Sequence, residues 1–433
     1  MKAPTVKKTI VLGILAILCV SFSYTTLTTR ETLAETAEQI QQKIDAVNTE
    51  RNKLLAEIKQ WEGKISTTGK ELQTLQNALK LLDLSRSKLQ TDLKLTEKNI
   101  SSTNLGIQEL DLSIAGKEEQ IEEGLAGLSQ SVRVMQQADD ISLIETVLTK
   151  GTFSEVLTDI QALKSFSDKV EANLAELRTL RDELETQQNK LEGKKVTLLS
   201  LKSELSDKKK IADQNAKEKS NLLLTTKNKE SEYKKQLAAK QAKKAALDAE
   251  LYNYESQLKL AIDFNKIPKF GSGVLSMPLS VVRITQTFGD TEFSRTHAGV
   301  YNGNGHNGID FGASLGTPVK SAGDGVIVAT GDTDVTCAGA SYGKWVFIKH
   351  NNGLSTLYAH LSLIKAITGS TVKSGDVIGY SGNTGYSTGP HLHFTVYASD
   401  GVKVTSLKSK ACSGTYTMPV ADLRAYLNPL LYL

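Results

Sequence analysis

Between Glu35 and Ile262 the chain carries no proline, and its apolar residues recur at an alternating four-three spacing. One frame runs through Ile40, Ile44, Val47, Leu54, Ile58, Trp61, Ile65, Leu72, Leu75, Leu79 and Leu82. It continues through Leu89, Leu93, Ile100, Ile107, Leu110, Ile114, Ile121 and Leu128 to Met135. A seven-residue repeat held this long predicts coiled coil, because only helices that wrap a partner keep a 3.5-residue stripe buried. At 1.5 Å per residue, about 100 residues of unbroken helix would give a rod of about 150 Å. Arg51, Thr68, Arg86, Thr96 and Thr103 occupy core positions of the frame, where polar groups weaken the seam and help to fix register.

The pattern breaks at 136–159, which holds Ala138-Asp139-Asp140, the apolar patch Ile141, Leu143, Ile144, Val147 and Leu148, and Lys150-Gly151-Thr152-Phe153. Heptads resume at Leu163, Val170, Leu174, Leu177, Leu184 and Leu191. They run less regularly through Leu205, Leu237, Leu247 and Leu251 to Leu258. An antiparallel helical hairpin over 31–264, with a tip or lobe at 136–159, is the expected arrangement. A parallel dimer also satisfies the heptads, but a break near the middle of the helical half favours the hairpin.

The first 30 residues predict export. Lys2, Lys7 and Lys8 precede an apolar run from Ile10 to Phe22, with a small-x-small cleavage site at Ser21-Phe22-Ser23. An uncleaved anchor extending toward Leu27 is the alternative, since about 20 apolar residues span a bilayer. Leu18 stands before Cys19 where a lipidation signal needs a small residue. The remaining two cysteines, Cys337 and Cys412, are expected to form a disulfide in an exported protein. The net charge of +4 is spread over 433 residues. No basic block is paired with aromatics, so nucleic acid is not an expected partner.

After a linker at 265–273, residues 274–433 are rich in Gly, Thr, Ser, Val and Tyr, and turn signals separate strand-like runs. Trp345–Lys349 and Leu354–Tyr358 flank Asn351-Asn352-Gly353 and predict a hairpin. Val377–Tyr380 and His393–Tyr397 add strands, and Val420–Leu427 reads as a C-terminal helix. The expected fold class is therefore multidomain: a long antiparallel coiled-coil hairpin followed by a compact, mainly antiparallel β domain.

Four of the six histidines suit a single metal-centred site. His306 and Asp310 are four apart, and His391 and His393 flank Leu392. In extended backbone such even spacings share a face, with Leu392 turned to the core. Imidazole and carboxylate suit zinc, whose catalytic sites keep three protein ligands and an open position. His297 and His350 read as structural or surface residues.

His306–Asp310, then Leu357-Tyr358-Ala359-His360-Leu361-Ser362, then Gly389-Pro390-His391-Leu392-His393-Phe394 resemble the lysostaphin/LytM-type zinc endopeptidases of bacterial peptidoglycan. The likeness covers roughly Leu275 to Val396. It implies His306, Asp310 and His393 as zinc ligands and His360 and His391 as the catalytic pair. The whole layout is similar to EnvC/PcsB-type murein hydrolases and hydrolase activators. That likeness implies a hairpin that docks on an FtsX-like membrane protein of division and restrains the active-site groove. EnvC itself acts as an activator and lacks the zinc ligands, whereas this chain keeps them. A secreted wall peptidase is thus the expected function. The alternatives are a non-catalytic activator or scaffold of a separate amidase, and a wall-binding spacer.

Overall fold

A computed structural model describes residues 39–64, 74–139, 153–271, 273–290, 305–339 and 341–433. The leader over 1–30, the apolar patch of the tip and His297 lie outside the described residues. Among these residues no helix is long and apolar enough to cross a membrane. The chain divides into two compact units, Met1–Lys53 with Thr96–Glu204, and Leu54–Leu95 with Leu205–Leu433. The division does not fall at the linker.

Helix α1 occupies 39–64, α2 Leu75–Asp139, α3 Phe153–Thr226 and α4 Glu230–Gln257. Helices α2 and α3 are antiparallel, because steps forward on one are matched by steps back on the other. In the first unit Lys117 pairs with Glu183, the Lys194 side chain crosses Gly106, and Leu177 crosses Gly124. In the second, Asp83 pairs with Lys219, and Leu89 and Ile211 share one buried cluster.

The 100-residue rod does not form. Lys88 Nζ lies 4.0 Å from Glu62 and Thr91 Oγ1 lies 3.2 Å from Glu57. In one continuous helix residues 62 and 88 would stand about 39 Å apart, so α1 folds back along α2. Ser66-Thr67-Thr68-Gly69 between them are poor helix formers. Thr74 then caps α2, its Oγ1 accepting from Asn77 N at 3.2 Å. The heptad pattern overlooked this break because its apolar spacing survives the reversal.

A second reversal separates α3 from α4. Gln236 Nε2 donates to Thr225 O at 3.1 Å, where a straight helix would place them about 16 Å apart. Lys227 and Asn228 make the turn at φ of 50° and 54°.

The β domain begins at β1 (Ile284–Gln286), β2 (Ile309–Gly312), β3 (Pro318–Lys320) and β4 (Gly325–Asp332). After the short helix α5 (Asp334–Cys337) come β5 (Lys344–His350), β6 (Leu354–Ile364), β7 (Thr371–Val372), β8 (Val377–Ser381) and β9 (His391–Ala398). A hairpin of β10 (Val402–Ser409) and β11 (Gly414–Ala421) precedes β12 (Tyr426–Leu427). The main sheet runs β1-β2-β9-β6-β5-β4-β7, with β8 joining β3 to β6 and β12 pairing β9. The Asn351-Asn352-Gly353 turn joins β5 to β6, pairing Lys349 with Ser355.

The C-terminal helix expected at Val420–Leu427 is absent. Val420 and Ala421 end β11, paired with Lys403 and Val402, and a single 3-10 turn at Leu423–Ala425 leads into β12. Val420 and Ala421 are fully buried in the sheet's packing, which outweighs the helix propensity of the Ala-Asp-Leu-Arg-Ala run.

Both faces of the sheet are covered, and residues alternate between two cores. Ile309, Phe311, Val346, Ile348, Tyr358, Leu392, Phe394 and Val396 face one. Trp345, Phe347, Leu357, Ala359 and Tyr397 face the other, where Tyr416, Met418 and Val420 of the hairpin and Leu247 of α4 close over them. Glu250 of α4 accepts from Ser409 Oγ, Lys410 N and Ala411 N, and Glu255 from Ala421 N and Tyr426 Oη. Helix α4 is thus an integral cover of the β domain. Cys337 and Cys412 form a disulfide that ties α5 to the β10–β11 turn.

Candidate metal centre

Register does most of the assembly. Strand β9 pairs with β2 so that His393 stands directly opposite Asp310. Leu392 points into the first core, so its neighbours His391 and His393 project from the other face. His306 enters from outside the strands through a two-way backbone bridge with Gly289. The approach is tight: a Cβ on Gly308 would lie 2.5 Å from Phe394 O and 2.9 Å from His393 Cε1.

His306, Asp310 and His393 converge, with one ligand atom from each lying within 4.8 Å of the other two. His306 Nε2 lies 3.1 Å from His393 Nδ1 and 3.3 Å from Asp310 Oδ1, and His393 Nδ1 lies 2.9 Å from that same oxygen. A tetrahedral ion held at about 2.0–2.1 Å separates its ligand atoms by roughly 3.3 Å, so the donor spacing fits such an ion. The hydrogen bonds behind the donors fit as well. His306 Nδ1 donates to Thr287 O at 3.0 Å, and His393 Nε2 meets Thr395 Oγ1 at 2.9 Å. Each ring therefore turns its other nitrogen to the shared point, as ligating histidines do.

The electrostatics favour neutral imidazole beside ionised carboxylate. Burial alone would raise the Asp310 carboxyl. His391 nearby, with the hydrogen bonds from His306 and His393, outweighs burial and holds it well below the usual carboxylate range. Burial lowers His393 to about 4, against the opposing pull of Asp310. Tyr342 stacks on His393 with ring centroids 5.7 Å apart, and its hydroxyl accepts from Asn307 Nδ2. Burial pushes that phenol far above its ordinary range.

His391 and His360 stand beside this cluster, their ring centroids 4.6 Å apart. His391 Nε2 is 3.7 Å from Asp310 Oδ1, while Nδ1 donates to Gly389 O at 2.8 Å. His360 Nδ1 donates to Thr384 O, also at 2.8 Å. Carbonyls only accept, so both rings carry a proton on Nδ1 and, when neutral, leave Nε2 as the acceptor. His360 is held well below its usual range, by burial first and then by His391 and His393. It occupies an irregular point of β6: Lys344 pairs with Leu361 but Val346 with Tyr358, so one extra residue bulges, and His360 takes φ of 59°.

His350 lies apart. It is buried, its ring between Asp324 O and Thr356 Oγ1. Thr395, Thr384, Ser387, Gly308 and Tyr342 also shape the site and escaped the sequence reading. Thr395 could have been found, because it shares a strand face with His391 and His393.

The site opens into a cleft of ≈ 1970 Å³, whose lining includes His306, Asp310, His360, His391 and His393, and on α4 Lys240, Lys244 and Asp248. Lys244 Nζ sits 5.0 Å from the centre of the Tyr386 ring, and the Lys240 stem packs on Gly339.

An antiparallel β domain thus presents two imidazoles and a carboxylate to one point, with two further imidazoles beside them, and forms a candidate metal site. Residues 304–406 match Peptidase family M23. The chain is 44% identical over 117 residues to the DD-carboxypeptidase/endopeptidase Mpg of Neisseria meningitidis, covering 27% of this chain and 25% of that protein. It is 47% identical over 89 residues to the peptidoglycan DD-endopeptidase ShyA of Vibrio cholerae, covering 21% and 19%. The chain thus spans about a quarter or less of the curated relatives it matches. The catalytic domain of lysostaphin from Staphylococcus simulans is 29% identical, with a TM-score of 0.25, over 34% of this chain and 90% of that one.

Proposed function

We propose that the protein is an exported zinc endopeptidase that cuts peptide bonds in the stem or cross-link peptides of peptidoglycan. The observation that carries this reading is the meeting of His306 Nε2, Asp310 Oδ1 and His393 Nδ1 at ligand spacing, with two further imidazole rings beside them. His306, Asp310 and His393 would hold the ion; His360 and His391 would be the catalytic pair. When bound, zinc supplies Lewis acidity and an acidified water. His391, the more exposed of the pair, takes the proton of the attacking water on Nε2 and afterwards returns it to the leaving amine. His360, kept neutral by burial, offers a second acceptor that orients the water. The names of the relatives, a DD-endopeptidase among them, support wall peptides as the substrate class.

The finer reading concerns control and place. Helix α4 lines the same cleft as the histidines, and it is bonded to the domain through Glu250 and Glu255. We assign it the role of a regulatory wall whose release widens access to the site. The Lys-flanked apolar run Ile10–Phe22 supports an envelope location. A membrane partner of FtsX type at the hairpin rests on the resemblance to the EnvC/PcsB layout.

Metal analysis of the purified full chain tests the assignment of roles. Wild type, His391→Ala and His360→Ala should each hold one zinc, and Asp310→Ala and His393→Ala should lose it. Equal zinc in all five would overturn the ligand set.

A further inference from the structure

His360 sits in a left-handed backbone conformation that a side-chain-bearing residue keeps only when its surroundings hold it there. Two bonds do so: His360 N donates to Tyr342 O at 2.9 Å, and Nδ1 donates to Thr384 O at 2.8 Å. Both acceptors lie outside the strands, Tyr342 just before β5 and Thr384 in the loop 383–386. The two segments approach so closely that a Cβ on Gly385 would lie 2.1 Å from Ser341 O.

Asp334 joins these segments. Its Oδ1 accepts from Gly339 N at 2.6 Å and its Oδ2 from Gly385 N at 2.7 Å. The preceding Thr333 donates its backbone N to Gly343 O at 2.9 Å, and its Oγ1 accepts from Gly343 N at 2.9 Å. Helix α5 is itself anchored, because Cys337 is bonded to Cys412 and Thr336 Oγ1 donates to Thr415 O at 3.0 Å. A chain of contacts therefore runs from the β10–β11 turn through α5 and Asp334 to the peptide that holds the His360 ring.

We propose that Asp334 is a positioning residue for the His360 imidazole, and that the Cys337–Cys412 bond braces it in place. The proposal rests on the reading of His360 as one of the proton-handling pair. An ionised carboxylate accepts from two amides at once, whereas water filling its place would satisfy the amides without fixing the segments to each other. Loss of Asp334 should thus leave the fold intact and let the ring wander. A misplacement of about 1 Å can cost on the order of 100-fold in rate.

The test uses the full chain as wild type, Asp334→Ala, Asp334→Asn, His360→Ala and the Cys337→Ser/Cys412→Ser double variant. Two quantities are read: kcat and KM for muropeptide release, and the rate at which diethylpyrocarbonate modifies His360, with buried His350 as internal control. Asp334→Ala should lower kcat on the order of 10- to 100-fold with KM little changed. It should also speed His360 labelling several-fold while His350 stays protected. Asp334→Asn, which keeps one acceptor oxygen, should fall between, and the cysteine variant should move the same way to a smaller extent. Wild-type kcat and labelling in Asp334→Ala, with His360→Ala inactive, would overturn the proposal and leave the peptidase reading standing. Full activity in His360→Ala would instead overturn the role given to His360, and the labelling rates alone would then decide whether Asp334 positions the ring. Should Asp334→Ala expose His350 as well, Asp334→Asn decides, and wild-type behaviour there overturns the proposal.

Discussion

Thr395 Oγ1 lies 2.9 Å from His393 Nε2, on the side of the ring away from Asp310. The hydroxyl fixes which nitrogen of His393 faces the shared point. Thr395→Val keeps the side-chain shape but leaves a buried N–H without an acceptor. Zinc affinity should fall about 10- to 100-fold, measured by competition with a chromogenic chelator, and Thr395→Ser should retain most of it. Unchanged affinity in the valine variant would refute this role.

Gly308 makes a second prediction about the same three ligands. An alanine there would press its Cβ against Phe394 O at 2.5 Å, Thr395 Oγ1 at 2.7 Å and His393 Cε1 at 2.9 Å. Two of the three contacts involve backbone or a ligand ring that cannot retreat. Gly308→Ala should reduce metal content and cost about 1–3 kcal/mol of stability by overpacking. Metal analysis and urea unfolding measure the two effects, and a variant with wild-type values in both would contradict the geometry.

Helix α4 should loosen as pH rises. Burial lifts Glu255 from 4.5 to about 7, against the hydrogen bonds from Ala421 and Tyr426, with Asp248 adding to the rise. The folded state therefore holds this proton between pH 4.5 and 7 while the unfolded state releases it. Stability falls across that window, by about 3 kcal/mol in all, and the loss is complete above it. Asp248, raised by burial to about 6, adds a loss of the same sign. Glu255→Gln, which cannot ionise, should be more stable than wild type at pH 8 and equal to it near pH 4.5. Urea midpoints read from Trp345 fluorescence in a Trp61→Phe background test this; a gain that is independent of pH would count against it.

Glu250 tests the regulatory wall. It bonds α4 to the β10–β11 turn through Ser409, Lys410 and Ala411 and lies outside the lining of the cleft. Glu250→Ala should raise the rate of muropeptide release several-fold by weakening the docking of α4. An equal rate would remove α4 from control of access.

How much of this was legible beforehand varies with the physics involved. The β5–β6 hairpin was, because Asn351-Asn352-Gly353 between alternating apolar runs is a local signal. So was the shared face of His391 and His393, since period-two alternation fixes it once Leu392 is placed in the core. His360 was not legible by alternation. Counting from Tyr358 would send it to the opposite face, and only the bulge at Lys344–Val346 turns it toward His391. The helical half misled for a related reason: Ile58 and Leu93 keep their heptad spacing whether α1 continues into α2 or folds back on it. Asp334 carries no sequence signal at all, because its partners are backbone amides of glycines 5 and 51 residues away.

The most direct measurement is release of muropeptides from purified peptidoglycan by the full chain, with and without chelator, beside His391→Ala. Release should stop with chelator, return on adding zinc and be absent from the variant, with new peptide ends that name the bond cut. A folded, zinc-loaded chain that releases nothing, including with Glu250→Ala in place, would contradict it. The protein would then be an activator or binder of the wall rather than its peptidase.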